Sequence, residues 1–399
     1  MEDNFIPSGG VTSPRGFSAG AACAGIKEKD SPDIAILSSQ VPCAAAAVFT
    51  TNRIKAAPVV LCRQRLRNGK VAAVVVNSGC ANACTGEQGM KDAVEMVELA
   101  AGVIGVSPEE VLVASTGVIG EPMPMERLRA AMGRIVLSRD GGHELAMAIM
   151  TTDTVPKEAA VEIGESGSII GGAAKGSGMI HPSLATLLCF ITTDAGVDSG
   201  FLQAALRRAA DISFNMVSID GDSSTNDMLL IMANGLAGGE PIRQGSRQAE
   251  AFQGALNRLC IHLAKSIARD GEGATKLIEV VVNGAPDEAG AGLVARMIVS
   301  SPLVKSAVHG SDPNWGRVVA AAGRSGVDVV EAKIDLRIGG IRLVEDGRPL
   351  PFNKKEVVKV LDGSEVSVVL NLNLGRATAT AWGCDLSEEY VTINSEYTT

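Results

Sequence analysis

At 399 residues the chain has the length for two or three domains and a sizeable core, which excludes a mini-protein or a short binding motif. Apolar residues make up 46% and charged residues 20%, and 36 Lys and Arg against 45 Asp and Glu give a net charge of −9, a balance that excludes extended disorder. Twelve aromatic residues and no basic cluster exclude the electrostatic footprint and the stacking platforms of a nucleic-acid binder.

The chain starts Met1-Glu2-Asp3, acidic and with no apolar run behind it, which argues against a secretory signal. Its longest uncharged apolar stretch, about Val41 to Phe49, falls far short of the ~20 residues that span a bilayer. The expectation is a cytoplasmic protein with no membrane partner. The eight cysteines (Cys23, Cys43, Cys62, Cys80, Cys84, Cys189, Cys260 and Cys384) are scattered through a large chain, several within apolar runs, and read as reduced thiols. The 45 glycines exceed the usual ~7% and cluster in short polar segments, where backbone must approach backbone or ligand closely.

Taken in chain order, Val- and Ile-rich runs predict strands at Val71 to Val76, Val111 to Ala114, Ala159 to Ile163, Leu187 to Thr192, Met228 to Met232, Leu277 to Val282, Val327 to Leu336, Val366 to Leu370 and Tyr390 to Ile393. Helical patterns fall between them at Lys91 to Ala101, Met125 to Ile135, Gly200 to Ala210, Gln248 to Arg269 and Glu288 to Ser300. The clearest is Gln248 to Arg269, where Phe252, Leu256, Leu259, Leu263 and Ile267 recur at spacings of three and four and mark one buried stripe. Strands that come in pairs as well as alternating with helices predict an α/β chain (α+β layered) of mixed sheets sandwiched by helices.

Several chemistries fail on their own spacing. His143, His181, His262 and His309 are scattered, and Cys80-Ala81-Asn82-Ala83-Cys84 has no second pair to complete a zinc site, so no metal is expected. Asp220 to Asp227 begins like a calcium loop but carries Thr225 where glycine is required and Ile231 where a bidentate Glu is required. The glycine-rich run around Lys175 lacks the phosphate-loop spacing. What remains is Lys175 to Phe190, a glycine-rich loop leading into Ala185-Thr186 and an apolar strand. Ala-Thr before a strand is ordinarily a strand start. It also fits self-cleavage, because a threonine freed at its α-amine carries its own general base, with a pKa of roughly 7.7 to 8.

The run Lys175 to Thr186 resembles the self-processing site of the ornithine acetyltransferase (glutamate N-acetyltransferase) family of arginine biosynthesis. Seven more segments resemble that family in order: Pro14 to Phe17, Asn77 to Ala83, Ser115 to Gly120, Thr151 to Thr154, Asp220 to Asp227, Asp270 to Lys276 and Asp312 to Arg317. The resemblance covers nearly the whole chain. It implies a fold like that of N-terminal-nucleophile peptidases and cleavage between Ala185 and Thr186 into an alpha chain, 1–185, and a beta chain, 186–399, assembled as a heterotetramer of two of each. It implies Thr186 as nucleophile, Thr116 and the Gly117 N–H as oxyanion donors, and Thr152, Lys175, Thr186, Glu272, Asn394 and Thr399 as substrate-binding residues. Lys175 and Thr152 would lie near the substrate carboxylate, and Glu272 near the distal ammonium. The implied reaction moves acetyl from N2-acetylornithine to glutamate with no resident cofactor; some members also take acetyl-CoA as donor. Two other readings stand beside it: an N-terminal-nucleophile aminopeptidase or amidase, and a non-catalytic binding protein that stays one chain.

Overall fold

The computed structural model of the chain describes residues 5–27, 31–164, 167–181 and 187–396. Within them the strands, in chain order, are β1 (Phe17–Ala22), β2 (Ile34–Phe49), β3 (Val71–Cys80), β4 (Val111–Val118), β5 (Lys157–Glu162), β6 (Ile169–Lys175), β7 (Leu188–Thr193), β8 (Val217–Ser218), β9 (Met228–Ala233), β10 (Leu277–Ala285), β11 (Asp335–Ile338), β12 (Ile341–Glu345), β13 (Arg348–Pro349), β14 (Glu365–Asn371) and β15 (Ala377–Cys384). They form two mixed sheets, one ordered β4-β3-β2-β9-β7-β6-β5 with β1 added on β2, the other β13-β12-β11-β14-β10-β15-β8. The long β2 joins the halves of the first sheet: its start pairs with β3, the register then shifts between Ser38 and Cys43, and its end pairs with β9 from Ala44 to Phe49.

Every residue of β7 and β9 is buried. Side chains alternate across a strand, so a strand buried on both faces is mostly apolar, and the buried Thr192 and Thr193 of β7 donate to the Val11 and Ile169 carbonyls. Leu188, Phe190, Met228, Leu230 and Met232 enter one core, while Cys189, Ile191, Leu229 and Ile231 enter the other. The first core takes in β3 and β4 and the helix Gly86–Ile104, with the helix Gly142–Ala148 touching both β1 and β6. The second core lies between the sheets, where the helix Arg247–Arg269 packs on β5 and β6 of one and on β10 and β15 of the other. Its stripe from Phe252 to Ile267 is fully buried, and Ser246 caps its start by accepting the Ala249 N–H at 3.1 Å.

The layered α/β reading holds, with two mixed sheets and covering helices. Two predicted strands do not. Tyr390 to Ile393 lies in the helix Glu388–Glu396: alternating Val391 and Ile393 suggested a strand, but no sheet edge receives them, and Glu388 and Glu389 favour a helix start. Val327 to Leu336 becomes strand only at Asp335, because its first part lies at the surface and turns through Glu331–Lys333. All eight cysteines are free; six are buried, whereas Cys84 is exposed and Cys23 half-buried. Among the described residues no single helix is long and apolar enough to cross a membrane. The expected cleavage site, Ala185 and Thr186, and Thr399 lie outside the described residues.

The sheet-to-sheet core gives a direct test. Leu259, fully buried on the helix Arg247–Arg269, packs over Gly172 of β6. Leu259→Ala should cost about 2–5 kcal/mol in urea unfolding, the usual loss for a buried leucine whose surroundings relax only partly.

Candidate active site

The six described residues singled out from the sequence, Thr116, Gly117, Thr152, Lys175, Glu272 and Asn394, line one cavity of about 120 Å³. They arrive from five parts of the chain: the end of β4, the segment before β5, the end of β6, the loop after the helix Arg247–Arg269, and the C-terminal helix.

At the end of β4 the parallel ladder with β3 is broken by a bulge in which Cys80 opposes both Thr116 and Val118. Gly117 sits at φ +130, and a Cβ there would stand 2.3 Å from the Gly79 carbonyl carbon, so the position tolerates glycine alone. The buried Asn226 amide fixes both strands, donating to the Ala81 carbonyl at 2.6 Å and the Ser115 carbonyl at 2.8 Å. Lys175 Nζ donates to Thr116 Oγ1 at 3.4 Å and to Thr151 Oγ1 at 2.7 Å. A hydroxyl that accepts from an ammonium keeps its own proton for another acceptor. Thr116 is thereby prepared as a donor toward the cavity.

Lys175 is almost fully buried, and its counter-charge is Asp153, 4.0 Å away. Burial pulls the ammonium below its usual range, against the opposing pull of Asp153. For Asp153 burial would raise the carboxyl, but Lys175, Lys157 and the Gly176 N–H at 2.7 Å together outweigh it and hold the group at about 2. Lys157 Nζ bridges Asp153 and Asp270, at 2.6 Å from each. Thr152 meets the buried Ser177 hydroxyl at 2.6 Å.

Glu272 is buried, hydrogen-bonded through its N–H to the Ser177 carbonyl at 2.8 Å, and its carboxylate accepts the Asn394 amide at 2.8 Å. A Cβ on Gly178 would come within 2.4 Å of that carboxylate, so the loop passes directly over it. Asp220 lies on the same wall, its carboxyl raised by burial while it accepts the N–H groups of Met179 at 2.5 Å and Ile180 at 2.9 Å. Tyr390, one helical turn before Asn394, also borders the cavity; burial and the nearby Asp220 and Glu272 push its hydroxyl up to about 12. The cavity therefore offers a buried cation, hydroxyl donors, and a carboxylate wall. That set suits a small molecule with an anionic and a cationic end.

The structure adds residues that the sequence reading left without roles: Thr151, Asp153, Lys157, Ser177, Asp220, Asn226, Asp270 and Tyr390. All but Lys157 and Tyr390 stand in segments already singled out for their chemistry. Their roles come from pairings between segments far apart in sequence, such as Lys157 with Asp270.

Asp153 yields a prediction with a definite sign. Its folded carboxyl lies below the free value of 3.8, so the stability it contributes is complete above pH ~4 and is lost as pH falls through about 2. Between pH 5 and pH 2 the wild type should lose on the order of 2 kcal/mol more than Asp153→Asn, read from urea midpoints along the pH series. A second prediction concerns Gly178→Ala. The added methyl displaces the Glu272 carboxylate, and the expected result is a raised KM for a cationic substrate with little loss of melting temperature.

The chain matches the ArgJ family over residues 18–399. It is 54% identical over 398 residues to the arginine biosynthesis bifunctional protein ArgJ of Symbiobacterium thermophilum, covering 98% of this chain and 99% of that one. It is 52% identical over 400 residues to the protein of the same name from Dehalococcoides mccartyi, with 99% of each covered. The crystal structure of arginine biosynthesis bifunctional protein argJ from Bacillus halodurans superposes with a TM-score of 0.51 at 47% identity, covering 52% of this chain and 98% of that chain. With a family match over residues 18–399 and near-complete coverage at this identity, the chain belongs to the ArgJ family.

Proposed function

We propose that the chain is a self-cleaving glutamate N-acetyltransferase of arginine biosynthesis. It moves acetyl from N2-acetylornithine to glutamate through an acetyl-threonyl enzyme on Thr186. The observation that carries this is the convergence of Thr116, Gly117, Thr152, Lys175, Glu272 and Asn394 on one cavity. Relatives at 54% and 52% identity named for arginine biosynthesis support it.

In this reading cleavage before Thr186 frees an α-amine, which takes the proton of its own hydroxyl as the oxygen attacks the acetyl carbonyl. Thr116 and the Gly117 N–H receive the negative charge of the tetrahedral intermediate, a contribution of the kind whose loss costs about 10²- to 10³-fold in rate. Lys175 and Thr152 hold the substrate carboxylate, while Glu272, steadied by Asn394, holds the distal ammonium of ornithine, and Thr399 completes the substrate contacts. Ornithine leaves, and the glutamate amine attacks the acyl-enzyme.

The segments 1–185 and 186–399 are then the alpha and beta chains. Strands from both share the first sheet, with β6 beside β7 and β2 beside β9, which supports their staying together after cleavage. The solved Bacillus halodurans chain is matched over 98% of its length by about half of this one, also in keeping with a two-chain product. Two of each chain form the assembly, acetyl-CoA serves as a second acetyl donor, and the cytoplasm is the location.

The decisive experiment is a denaturing mass spectrum of the purified protein, followed by an assay of acetyl transfer. The expected spectrum has two species meeting between Ala185 and Thr186, and Thr186→Ala gives one chain of about 41 kDa. Loss of acetyl from N2-acetylornithine should require glutamate. A wild type that stays whole, or that releases acetate at the same rate without glutamate, overturns the proposal.

A further inference from the structure

Four charged side chains form an unbroken buried row beneath the cavity, in the order Lys175, Asp153, Lys157, Asp270. Lys157 opens β5 and Lys175 closes β6, with Lys157 opposite Ala174 in the pairing of these strands, and both ammonium groups reach Asp153, at 2.6 and 4.0 Å. Lys157 is 2% exposed and spends its charge on Asp153 and Asp270, both at 2.6 Å. Asp270 also accepts the Thr154 N–H at 3.0 Å and the Thr154 hydroxyl. Two residues later the chain reaches Glu272, whose N–H is held by Ser177, while Ser177 Oγ holds Thr152.

Buried ion pairs are a weak source of stability, since desolvation offsets most of their attraction; their best-attested use is to fix one register among several. Here the row runs from one cavity-lining residue, Lys175, to the segment that carries another, Glu272. Asp153 sits under Lys175, Asp270 sits two residues before Glu272, and Lys157 is the strut between the two carboxylates. We infer that Lys157, with Asp153 and Asp270, is a positioning device that sets the separation of Lys175 from Glu272 and thereby selects the side-chain length of the substrate. This inference rests on the assignment of Lys175 to the substrate carboxylate and Glu272 to the distal ammonium. The three residues act through Lys175 and Glu272 and do not line the cavity themselves.

The test compares N2-acetylornithine with its homologues one methylene longer and one shorter, N2-acetyllysine and N2-acetyl-2,4-diaminobutyrate, in glutamate-dependent acetyl transfer. A site of fixed length discriminates a single methylene by about 10- to 200-fold in kcat/KM. The variant is Lys157→Met combined with Asp270→Asn, which removes one charge of each sign and leaves Asp153 with Lys175. If the double variant shows no cooperative melt, Asp270→Asn alone takes its place. The expected result is a roughly tenfold fall in the preference for N2-acetylornithine over at least one homologue. A preference within twofold of wild type for both homologues, however far kcat/KM has dropped, means the row serves the fold alone and overturns the inference. A wild type that transfers acetyl from none of the three overturns the functional assignment instead, and the inference with it.

Discussion

A strand buried on both faces has no surface left for chemistry. In the first sheet the alternating side chains of β7 and β9 fill one core above and another below, and every position is taken by packing. Polar function can then stand only where strands end, and the site consists of strand ends and the loops that follow them. Thr116 and Gly117 close β4, Lys175 closes β6, and Asn226 precedes β9. The bulge between β3 and β4 is part of the same solution, since it turns the last residues of β4 out of the ladder.

Charges placed at such a boundary are desolvated, and the arrangement answers that cost pair by pair. Lys175 is set against Asp153, Asp153 against Lys157, and Lys157 against Asp270. Asp220 is answered differently, by backbone N–H groups of the segment after Lys175. Both devices tie loops together, so the groups that pair charge also fix geometry. Preorganised donors and charges of this kind need no rearrangement when charge develops in a transition state.

Much of this was legible in the sequence, and what was not has a physical reason. Apolar runs announced β3, β7, β9 and β10; in β3, β7 and β9 the run reflects burial on both faces, whereas β10 carries the half-buried Glu279. Glycine clusters marked the turns where a Cβ would strike backbone, as at Gly117. Lys157, in Val155-Pro156-Lys157-Glu158, looks like any surface lysine. Only the register of β5 on β6 and the return of Asp270 enclose it. The C-terminal helix was misread because Val391 and Ile393 have strand character, whereas the decisive fact, that they pair with no strand of either sheet, belongs to the tertiary structure. Asp312 to Arg317 shows the reverse case. The motif is distinctive in sequence, yet it borders a helix start, with Arg317 donating to the Leu303 carbonyl, and does not line the cavity.

The cleavage point proposed above falls in the connection between two paired strands. β6 ends at Lys175 and β7 begins at Leu188, and these two residues pair directly across an antiparallel ladder. The chain between them is the connection of two strands whose hydrogen bonds run from Lys175 with Leu188 to Ile170 with Thr193. Cutting a connection removes none of those bonds, and β7 is held on its other side by β9. A break in that connection would leave the sheet that carries the site paired. A break within β6 or β7 would remove a rung of the ladder and a segment of core together. A break in this connection is thus compatible with the strand pairing that positions Lys175, and the charge row next to it, against the end of β4.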